Sequence, residues 1–302
     1  MKKKIIIIGG TGFLGQNLIK KLNKKKYEIT SLSTHSIPRI NKSKNVKYRI
    51  LDIKDKKNFS KLKKKKFNFI INLGGNINHH DAIQTNNSHY IGCKNILNEL
   101  NLKNLNLFIQ IGSSLEYGNI KSPQIETNVC KPNSIYGKAK LNASKFIISK
   151  SKKEKINYLI LRLYQVYGPY QKTDRLISST IQNCLKDKEF NCTEGKQLRD
   201  FLYVTDFVDL IIRILEYKKA IISGIYNVGC GKPLSVKYVI KTINKIIQKG
   251  KPLYGKIKMR NDETKSLYPS NKKINKKYKW IPKINFLEGI KKTIKYYEWI
   301  KF

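Results

Sequence analysis

Short apolar runs recur through the first half of the chain, and each is separated from the next by a polar or amphipathic stretch. The runs are rich in the β-branched and aromatic residues that favour strands, whereas the stretches between them have the length of a helix. Strands and helices that alternate in this way predict βαβ units and a doubly wound parallel sheet, which is an α/β fold. The predicted strands cover 5–8, 27–32, 46–51, 67–73, 107–111 and 158–163.

After about residue 165 the pattern becomes less regular. The last fifty or so residues contain several prolines and predict short elements that cover a site. A doubly wound sheet binds ligands at the carboxyl ends of its strands, so the candidate chemistry is expected there. The elements predicted in this half are a helix over 174–186, a strand over 224–229 and a helix over 235–249.

The first predicted strand runs directly into a glycine-rich turn, IIIIGGTGFLG. Gly10, Gly12 and Gly15 satisfy the spacing G-x-G-x-x-G, and Gly9 replaces Gly10 in the spacing G-x-x-G-x-x-G. Between a strand and a helix, glycines permit a tight turn and bring backbone N–H groups close to a pyrophosphate at the helix N-terminus. The turn predicts a dinucleotide site, and a glycine turn that binds nothing is the alternative.

The same residues argue against two other uses of this segment. A P-loop needs Lys and then Ser or Thr directly after its last glycine, but Gln16 and Asn17 follow Gly15 here. A secretory leader needs an apolar core of roughly 7–15 residues, whereas the apolar run covers only 5–8.

Composition narrows the class of protein. The net charge of +42 raises the hypothesis of polyanion binding, but arginine, which favours bidentate phosphate contacts, supplies only seven of the 62 basic residues. Lysine is spread along the whole chain, which is typical of a solvated surface, so we expect no nucleic-acid partner. The five cysteines lack C-x-x-C spacing, and no apolar run approaches the roughly 18 residues of a membrane span. We expect a cytoplasmic protein with reduced thiols that binds no membrane.

The candidate catalytic residues follow the strand predicted over 107–111. Ser113 lies just past that strand, and Tyr136 and Lys140 lie four residues apart in a segment that predicts a helix, so they share one face. A lysine cation beside a phenol favours the phenolate, so Tyr136 could exchange a proton with a substrate oxygen near neutral pH. Ser113 could hydrogen-bond the same oxygen while a hydride moves.

With these motifs in this order, the sequence resembles the extended short-chain dehydrogenase/reductase superfamily, and within it the NAD-dependent epimerase/dehydratase family that acts on nucleotide sugars. The resemblance covers essentially the whole chain. It rests on GGTGFLG, SSLEYG, YGKAK, VYGPYQ, QLRDFLYVTD and MRNDE.

The resemblance implies a Rossmann-type NAD(P)-binding domain of residues 1–165, to which 200–245 return. It also implies a smaller nucleotide-sugar-binding region made of 166–199 and 246–302, and a homodimer. Ser113, Tyr136 and Lys140 would be catalytic. The cofactor, NADP or NAD, would contact Gly9, Gly12, Phe13, Leu14, Gly15, Ser33, Asp52, Ile53, Leu73, Tyr136 and Lys140, and the substrate would contact Ser114, Gln165, Arg199 and Arg260.

Alternatives stay open for three of these residues. Arg199 and Arg260 would grip the diphosphate of a sugar nucleotide, which suits the rigid fork of the guanidinium, or they could form structural ion pairs with nearby acids. Asp52 matches the family acid that hydrogen-bonds adenine, or it could cap a helix.

The sequence also departs from the family pattern. The 4,6-dehydratases carry an Asp-Glu pair after the catalytic Ser or Thr, whereas Ser114 and Leu115 stand here, so dehydration is disfavoured. The acid usual at the end of the second strand is replaced by SLSTHS, which favours NADP slightly over NAD. Gln165 and His89 stand where many relatives have Asn.

These features favour an enzyme that interconverts a hydroxyl and a ketone at C4 of a nucleotide-linked hexose. A 4-ketoreductase is favoured over a 4-epimerase with tightly bound NAD. A dinucleotide-binding protein without catalysis is the alternative of a different class. No metal is expected, because His79 and His80 have no further ligands at convincing spacing.

Overall fold

A computed structural model describes residues 1–36, 42–76, 81–259 and 263–299. The chain divides into two compact units. The first comprises Met1–Gly118, Asn128–Arg162 and Ile214–Tyr226, and the second comprises Asn119–Thr127, Leu163–Arg213 and Asn227–Phe302.

The strands are β1 (Lys3–Ile8), β2 (Tyr27–Ser33), β3 (Val46–Ile50), β4 (Phe69–Asn72), β5 (Leu107–Ser113), β6 (Tyr158–Leu163), β7 (Gln165–Tyr167), β8 (Glu189–Asn191), β9 (Leu198–Tyr203), β10 (Gly224–Val228), β11 (Pro233–Ser235), β12 (Lys251–Leu253) and β13 (Ser266–Leu267). The helices are α1 (Phe13–Lys21), α2 (Ala82–Asn86), α3 (Gly92–Glu99), α4 (Ile135–Glu154), α5 (Leu176–Leu185), α6 (Val204–Leu215), α7 (Val236–Ile247), α8 (Lys272–Tyr278) and α9 (Phe286–Trp299).

A seven-stranded sheet is the centre of the first unit, with the strand order β10-β6-β5-β4-β1-β2-β3. β1 pairs in parallel with both β2 and β4, and β2 with β3 and β4 with β5 are parallel as well. Ile5, Ile6 and Ile7 are fully buried because β1 lies in the middle of the sheet. The strand order confirms the predicted doubly wound α/β fold.

The order of the strands indicates at which edge of the first unit's sheet a ligand is expected. The chain fills one half of the sheet with β1, β2 and β3 and then crosses to β4 on the other side of β1. In doubly wound sheets, ligands bind beyond the carboxyl ends of the strands at this reversal point. The candidate residues after β1 and β4 therefore stand at the expected edge.

The second unit has a small sheet around β9, which pairs with β7, β11 and β13, and a two-stranded sheet of β8 and β12. Its last helix, α9, has 14 residues and buries Ile290, Ile294 and Tyr297, so the prediction of short elements at the end of the chain was wrong for this segment. The predicted helices over 174–186 and 235–249 correspond to α5 and α7.

Two further observations concern the whole described chain. Cys93, Cys130, Cys184, Cys192 and Cys230 are free thiols. Within the described ranges, no helix has the length and apolar character needed to cross a membrane.

Candidate active site

The glycine turn joins the carboxyl end of β1 to the start of α1. Gly9 has a φ of +76°, and a Cβ there would lie 2.9 Å from the backbone nitrogen of Gly74, so glycine is required on both grounds. A Cβ on Gly15 would lie 2.7 Å from the carbonyl carbon of Gly10. Gly12 is the N-cap of α1, so the first-turn residues Phe13 and Leu14 lie at the positive end of the helix dipole. This glycine cradle fits a pyrophosphate.

Leu73 lies beside this turn, because its backbone N–H donates to the carbonyl of Ile8 at 3.0 Å. The neighbouring Gly74 N–H donates to the side chain of Asn72, which in turn donates to Gln110 on β5. The segment after β4 is thus fixed against the end of β1 by hydrogen bonds.

Ser33 ends β2, and its hydroxyl accepts from the backbone N–H of Thr11 at 3.1 Å and donates to the carbonyl of Leu32 at 2.7 Å. This neutral hydroxyl occupies the position where related sites carry an acid. Beyond it lies an open groove of about 610 Å³, whose lining includes Thr34, His35, Asp52, Lys57 and Lys61.

Asp52 lines that groove after β3. Its carboxylate accepts from the backbone N–H of Lys54 at 3.0 Å and lies 3.3 Å from the Lys54 ammonium. The N-cap of the following 3₁₀ helix is Asp55, so Asp52 is not the cap of that helix. Ile53 is buried, and its carbonyl accepts from Asn95 on α3.

The strand-end serine and the helix α4 form the candidate catalytic group. Ser113 is the last residue of β5, it is 7% exposed, and its hydroxyl accepts from the backbone N–H of Leu115. Lys140 is 4% exposed, and its ammonium donates to the carbonyl of Ile111 on β5 at 2.8 Å. The same ammonium lies 5.6 Å from the ring centre of Tyr136, which is half-buried. The helix predicted for this segment therefore brings its cation and phenol together.

His89 has no role in the predicted site, where it is only a departure from the family pattern. His89 lies in a π-helical turn, Asn87–Ile91, between α2 and α3. Its imidazole is 5% exposed, contacts the ring of Tyr136 edge to face at 4.9 Å, and has Nε2 3.0 Å from the carbonyl of Asn76. A carbonyl only accepts, so Nε2 carries the proton. π-Helical turns are frequent at functional sites.

A second residue group without an assigned role lies directly behind Ser113. Glu116 is fully buried and pairs with Arg162 at 3.0 Å. Burial works to lower the pKa of Arg162, but Glu116 and Tyr117 together hold that pKa above its ordinary value. Ser114, a predicted substrate residue, is also buried at this point, with 4% exposure.

The other predicted substrate residues belong to the second unit. Gln165 begins β7 and is exposed. Arg199 on β9 is 7% exposed, and its guanidinium pairs with Glu263 at 2.6 Å, which is one of the ion pairs considered as its structural alternative. Arg260 lies outside the described residues.

Metal binding has no structural support in the part of the chain described. In the ranges that the structure covers, no group of three or more His, Cys, Asp or Glu side chains is arranged to hold a metal ion. The pair His79 and His80 lies outside those ranges.

Comparison with known proteins decides the family. The model of the NAD dependent epimerase/dehydratase family matches residues 5–229. The chain belongs to this family. The match confirms the predicted resemblance, and because the family is NAD-dependent it also confirms a nicotinamide cofactor.

Two relatives are similar to this chain over nearly its whole length. A Methanocaldococcus jannaschii protein provisionally named UDP-glucose 4-epimerase is 29% identical over an alignment of 314 positions, which covers 98% of each chain. Human dTDP-D-glucose 4,6-dehydratase is 26% identical over an alignment of 319 positions, which covers 98% of this chain and 90% of the relative. The crystal structure of Thermotoga maritima UDP-glucose 4-epimerase with UDP-glucose has a TM-score of 0.90 at 22% identity, covering 98% of this chain and 99% of the other. This structural likeness shows the shared fold.

Proposed function

We propose that this family member interconverts a hydroxyl and a ketone at C4 of a nucleotide-linked hexose, and that it works as a 4-ketoreductase. The observation that carries the proposal is the buried Lys140 ammonium, which the Ile111 carbonyl holds 5.6 Å from the ring centre of Tyr136. The pair places a fixed positive charge beside a side chain that carries an exchangeable proton, which is the arrangement that general acid-base catalysis at a substrate oxygen needs.

Each residue of the group has a separate task in this reaction. A nicotinamide cofactor held at the glycine turn would supply the hydride for reduction of the ketone and would accept it for oxidation of the alcohol. Tyr136 gives its phenolic proton to the C4 oxygen during reduction, and Lys140 stabilises the phenolate that remains. Ser113 hydrogen-bonds the same oxygen and positions it. Removal of one such preorganised donor costs ~10²–10³-fold in rate.

Dehydration is disfavoured by the residues that follow Ser113. Leu115 cannot transfer a proton, and the carboxylate of Glu116 is fully buried and bound by Ser113, Ser144 and Arg162. A carboxylate held by three donors in the interior is poorly suited to act as the acid or base that eliminates water. The chain therefore lacks a free acid-base pair at the positions where the dehydratases have one.

The groove beyond β2 supports NADP as the cofactor. His35, Lys57 and Lys61 line it, and the acid that lines it, Asp52, is paired with Lys54. The hydroxyl of Ser33 adds no negative charge at the strand end. A 2′-phosphate would meet a mainly basic surface there, whereas a ribose 2′-hydroxyl would lack the carboxylate acceptor that NAD sites usually provide.

Titration of cofactor binding tests this preference without turnover. The Kd for NADPH, measured from the change in its fluorescence on binding, should be at least about tenfold lower than the Kd for NADH measured in the same way. Lys57→Ala and Lys61→Ala should each raise the Kd for NADPH and leave the Kd for NADH unchanged. Lys65→Ala is the matched control, because Lys65 lies in the same lysine-rich segment as Lys61. Equal Kd values for the two cofactors in the wild-type protein would contradict the preference.

A 4-epimerase with tightly bound NAD is the second candidate. It is favoured by the full-length similarity to the Methanocaldococcus jannaschii relative that carries an epimerase name. Both candidates use the same Ser113, Tyr136 and Lys140, and they differ in whether the reduced cofactor is consumed.

One assay separates the candidates. The purified protein is first denatured and its supernatant examined for a released nicotinamide cofactor. It is then given UDP-, dTDP-, GDP- and CDP-linked hexoses, and their 4-keto forms with NADPH or NADH. Stoichiometric consumption of reduced cofactor supports the reductase. Interconversion of C4 epimers without net redox change supports the epimerase, and no conversion of any of these compounds overturns both.

A further inference from the structure

The carboxylate of Glu116 joins three elements that carry the candidate active site. Its Oε1 accepts from the backbone N–H of Ser113 at the end of β5, at 2.8 Å. Its Oε2 accepts from the hydroxyl of Ser144 on α4 at 2.9 Å and from Nε of Arg162 on β6 at 3.0 Å. One fully buried side chain thus connects two strands of the central sheet and the helix of Tyr136 and Lys140.

The first connection fixes the end of β5. Ser113 and Glu116 form a reciprocal capping box, in which the Ser113 hydroxyl accepts from Leu115 and the Glu116 carboxylate accepts from the Ser113 N–H. A hydroxyl oxygen that accepts from Leu115 turns its own proton away from that donor. The capping box therefore restricts the directions in which the Ser113 hydroxyl can donate.

The second connection fixes the helix. Tyr136, Lys140 and Ser144 follow one another at intervals of four residues on α4, so they lie along one side of it. From that side, the Lys140 ammonium donates to the Ile111 carbonyl and the Ser144 hydroxyl donates to the Glu116 carboxylate. α4 is thus attached to the β5 segment at two points, one turn apart, on the side that presents Tyr136.

The residues around Glu116 leave space for its carboxylate and balance its charge. A Cβ on Gly112 would lie 2.6 Å from Oε1 of Glu116, so glycine leaves the space that the carboxylate occupies. The Arg162 guanidinium is 2% exposed and stacks on the ring of Tyr117 at 4.4 Å. A buried ion pair is costly unless its geometry and its remaining hydrogen bonds are good, and one use of such pairs is to specify a single arrangement.

We propose that Glu116 is a positioning residue that holds Ser113 and the Tyr136 side of α4 in one fixed relation. Its fully buried carboxylate acts through the groups that it binds. The proposal rests on the proposed function, because it explains how the serine and the tyrosine address the same substrate oxygen. Loss of the attachment shifts the two groups relative to each other, and small shifts of this kind are costly in rate.

The sharpest test removes the helix attachment and keeps the ion pair. Ser144→Ala deletes the hydroxyl that Glu116 accepts, and Ser151→Ala is the matched control, because Ser151 is a buried serine on the same helix whose hydroxyl has no hydrogen-bond partner among the described residues. We expect Ser144→Ala to lower kcat about tenfold with KM and cofactor Kd within about twofold. Ser151→Ala should leave all three within about twofold.

A double-mutant cycle shows whether the effect passes through the tyrosine. In a Tyr136→Phe background, Ser144→Ala should change the residual rate by less than about twofold, because the group that the helix positions has already lost its proton. Equal effects of Ser144→Ala in both backgrounds, or equal effects of the two serine variants, would overturn the proposal.

A measurement that needs no turnover separates this proposal from the proposed function. Amide hydrogen exchange at Ser113–Leu115 and in the first two turns of α4 should become at least about tenfold faster in Ser144→Ala, and should stay at the wild-type rate in Ser151→Ala. If the exchange rates change in this way but the wild-type protein converts no nucleotide sugar, the positioning role stands and the proposed function fails. If Ser144→Ala exchanges like the wild type, the positioning role is wrong.

Discussion

The imidazole of His89 packs edge to face on the ring of Tyr136, with the ring centres 4.9 Å apart and the ring planes at 80°. The imidazole also donates from Nε2 to the carbonyl of Asn76, in the segment that follows β4. His89 therefore connects the candidate proton donor to the segment beside the glycine turn. An asparagine at this position would be too short to keep both contacts.

The ring contact predicts unequal effects of two substitutions at His89. His89→Phe keeps an aromatic ring beside Tyr136 and should hold kcat within about threefold, whereas His89→Asn should lower it about tenfold, because an edge-to-face pair is worth ~0.5–1.5 kcal/mol. Steady-state kinetics of the two variants give the comparison. Equal kcat values would mean that the ring contact does not orient Tyr136.

The glycine turn predicts a second pair of unequal effects. A Cβ on Gly15 would lie closest to the Gly9 carbonyl oxygen and also 2.7 Å from the Gly10 carbonyl carbon, whereas the nearest atom to a Cβ on Gly12 is the Gly9 carbonyl oxygen at 3.2 Å. Gly15→Ala should therefore destabilise the protein by ~1–3 kcal/mol through overpacking, and Gly12→Ala by less. Chemical denaturation measures both values, and a smaller loss for Gly15→Ala would contradict the observed packing.

Asp200 predicts a pH dependence of stability. Burial raises the pKa of Asp200 to about 6, against an unperturbed 3.8, although the backbone N–H groups of Cys230, Gly231 and Lys232 oppose the rise. The folded state therefore binds this proton more tightly than the unfolded state, and the stability that Asp200 contributes is present below pH 4 and is lost as the pH rises through 6. The loss amounts to about 3 kcal/mol, at ~1.4 kcal/mol for each pKa unit.

Asp200→Asn removes this titration. We measure the unfolding free energies of the variant and the wild type with urea at several pH values between 4 and 7. As the pH rises, the wild type should lose about 3 kcal/mol relative to the variant. Parallel stability curves would show that Asp200 does not titrate in this range.

Arg199 tests the proposed diphosphate contact in the second unit. Arg199→Lys keeps the charge but loses the bidentate fork, so we expect KM for the nucleotide sugar to rise about tenfold or more with a smaller change in kcat. Arg213→Lys, on α6 of the same unit, is the matched control. Calorimetric titration with the free nucleoside diphosphate gives an independent Kd. An unchanged Kd would leave Arg199 with its structural pairing to Glu263 and no contact with the diphosphate.

The parts of the fold that follow from local pattern could be predicted from the sequence. β1 contains four consecutive isoleucines and β6 is apolar or aromatic apart from Arg162, and the bounds of these strands in the structure extend or match the predicted ones. The junction of β9 and α6 gave no such signal, because the strand passes into the helix between Tyr203 and Val204 without a polar break. The helix α9 was not predicted for another reason. Its segment contains several lysines and follows a proline, so the apolar spacing of Ile290 and Ile294 is less evident in the sequence.

In the candidate site, too, local contacts could be predicted from the sequence and tertiary contacts could not. Tyr136 and Lys140 could be predicted because a spacing of four residues places side chains together on any helix. The contacts of Glu116 could not, since Ser144 and Arg162 are 28 and 46 residues away and meet it only after the sheet and α4 have assembled. The contact between His89 and Tyr136 is likewise tertiary.

The measurement that tests the central claim most directly is the turnover of Tyr136→Phe with the nucleotide sugar that the wild-type protein converts. Only the transferable proton is lost, so kcat should fall by ~10²–10⁴-fold while the unfolding free energy and the cofactor Kd stay close to wild type. Tyr158→Phe, on β6, should keep the wild-type rate. A Tyr136→Phe variant that turns over at the wild-type rate would contradict the assignment of Tyr136 as the proton donor and acceptor.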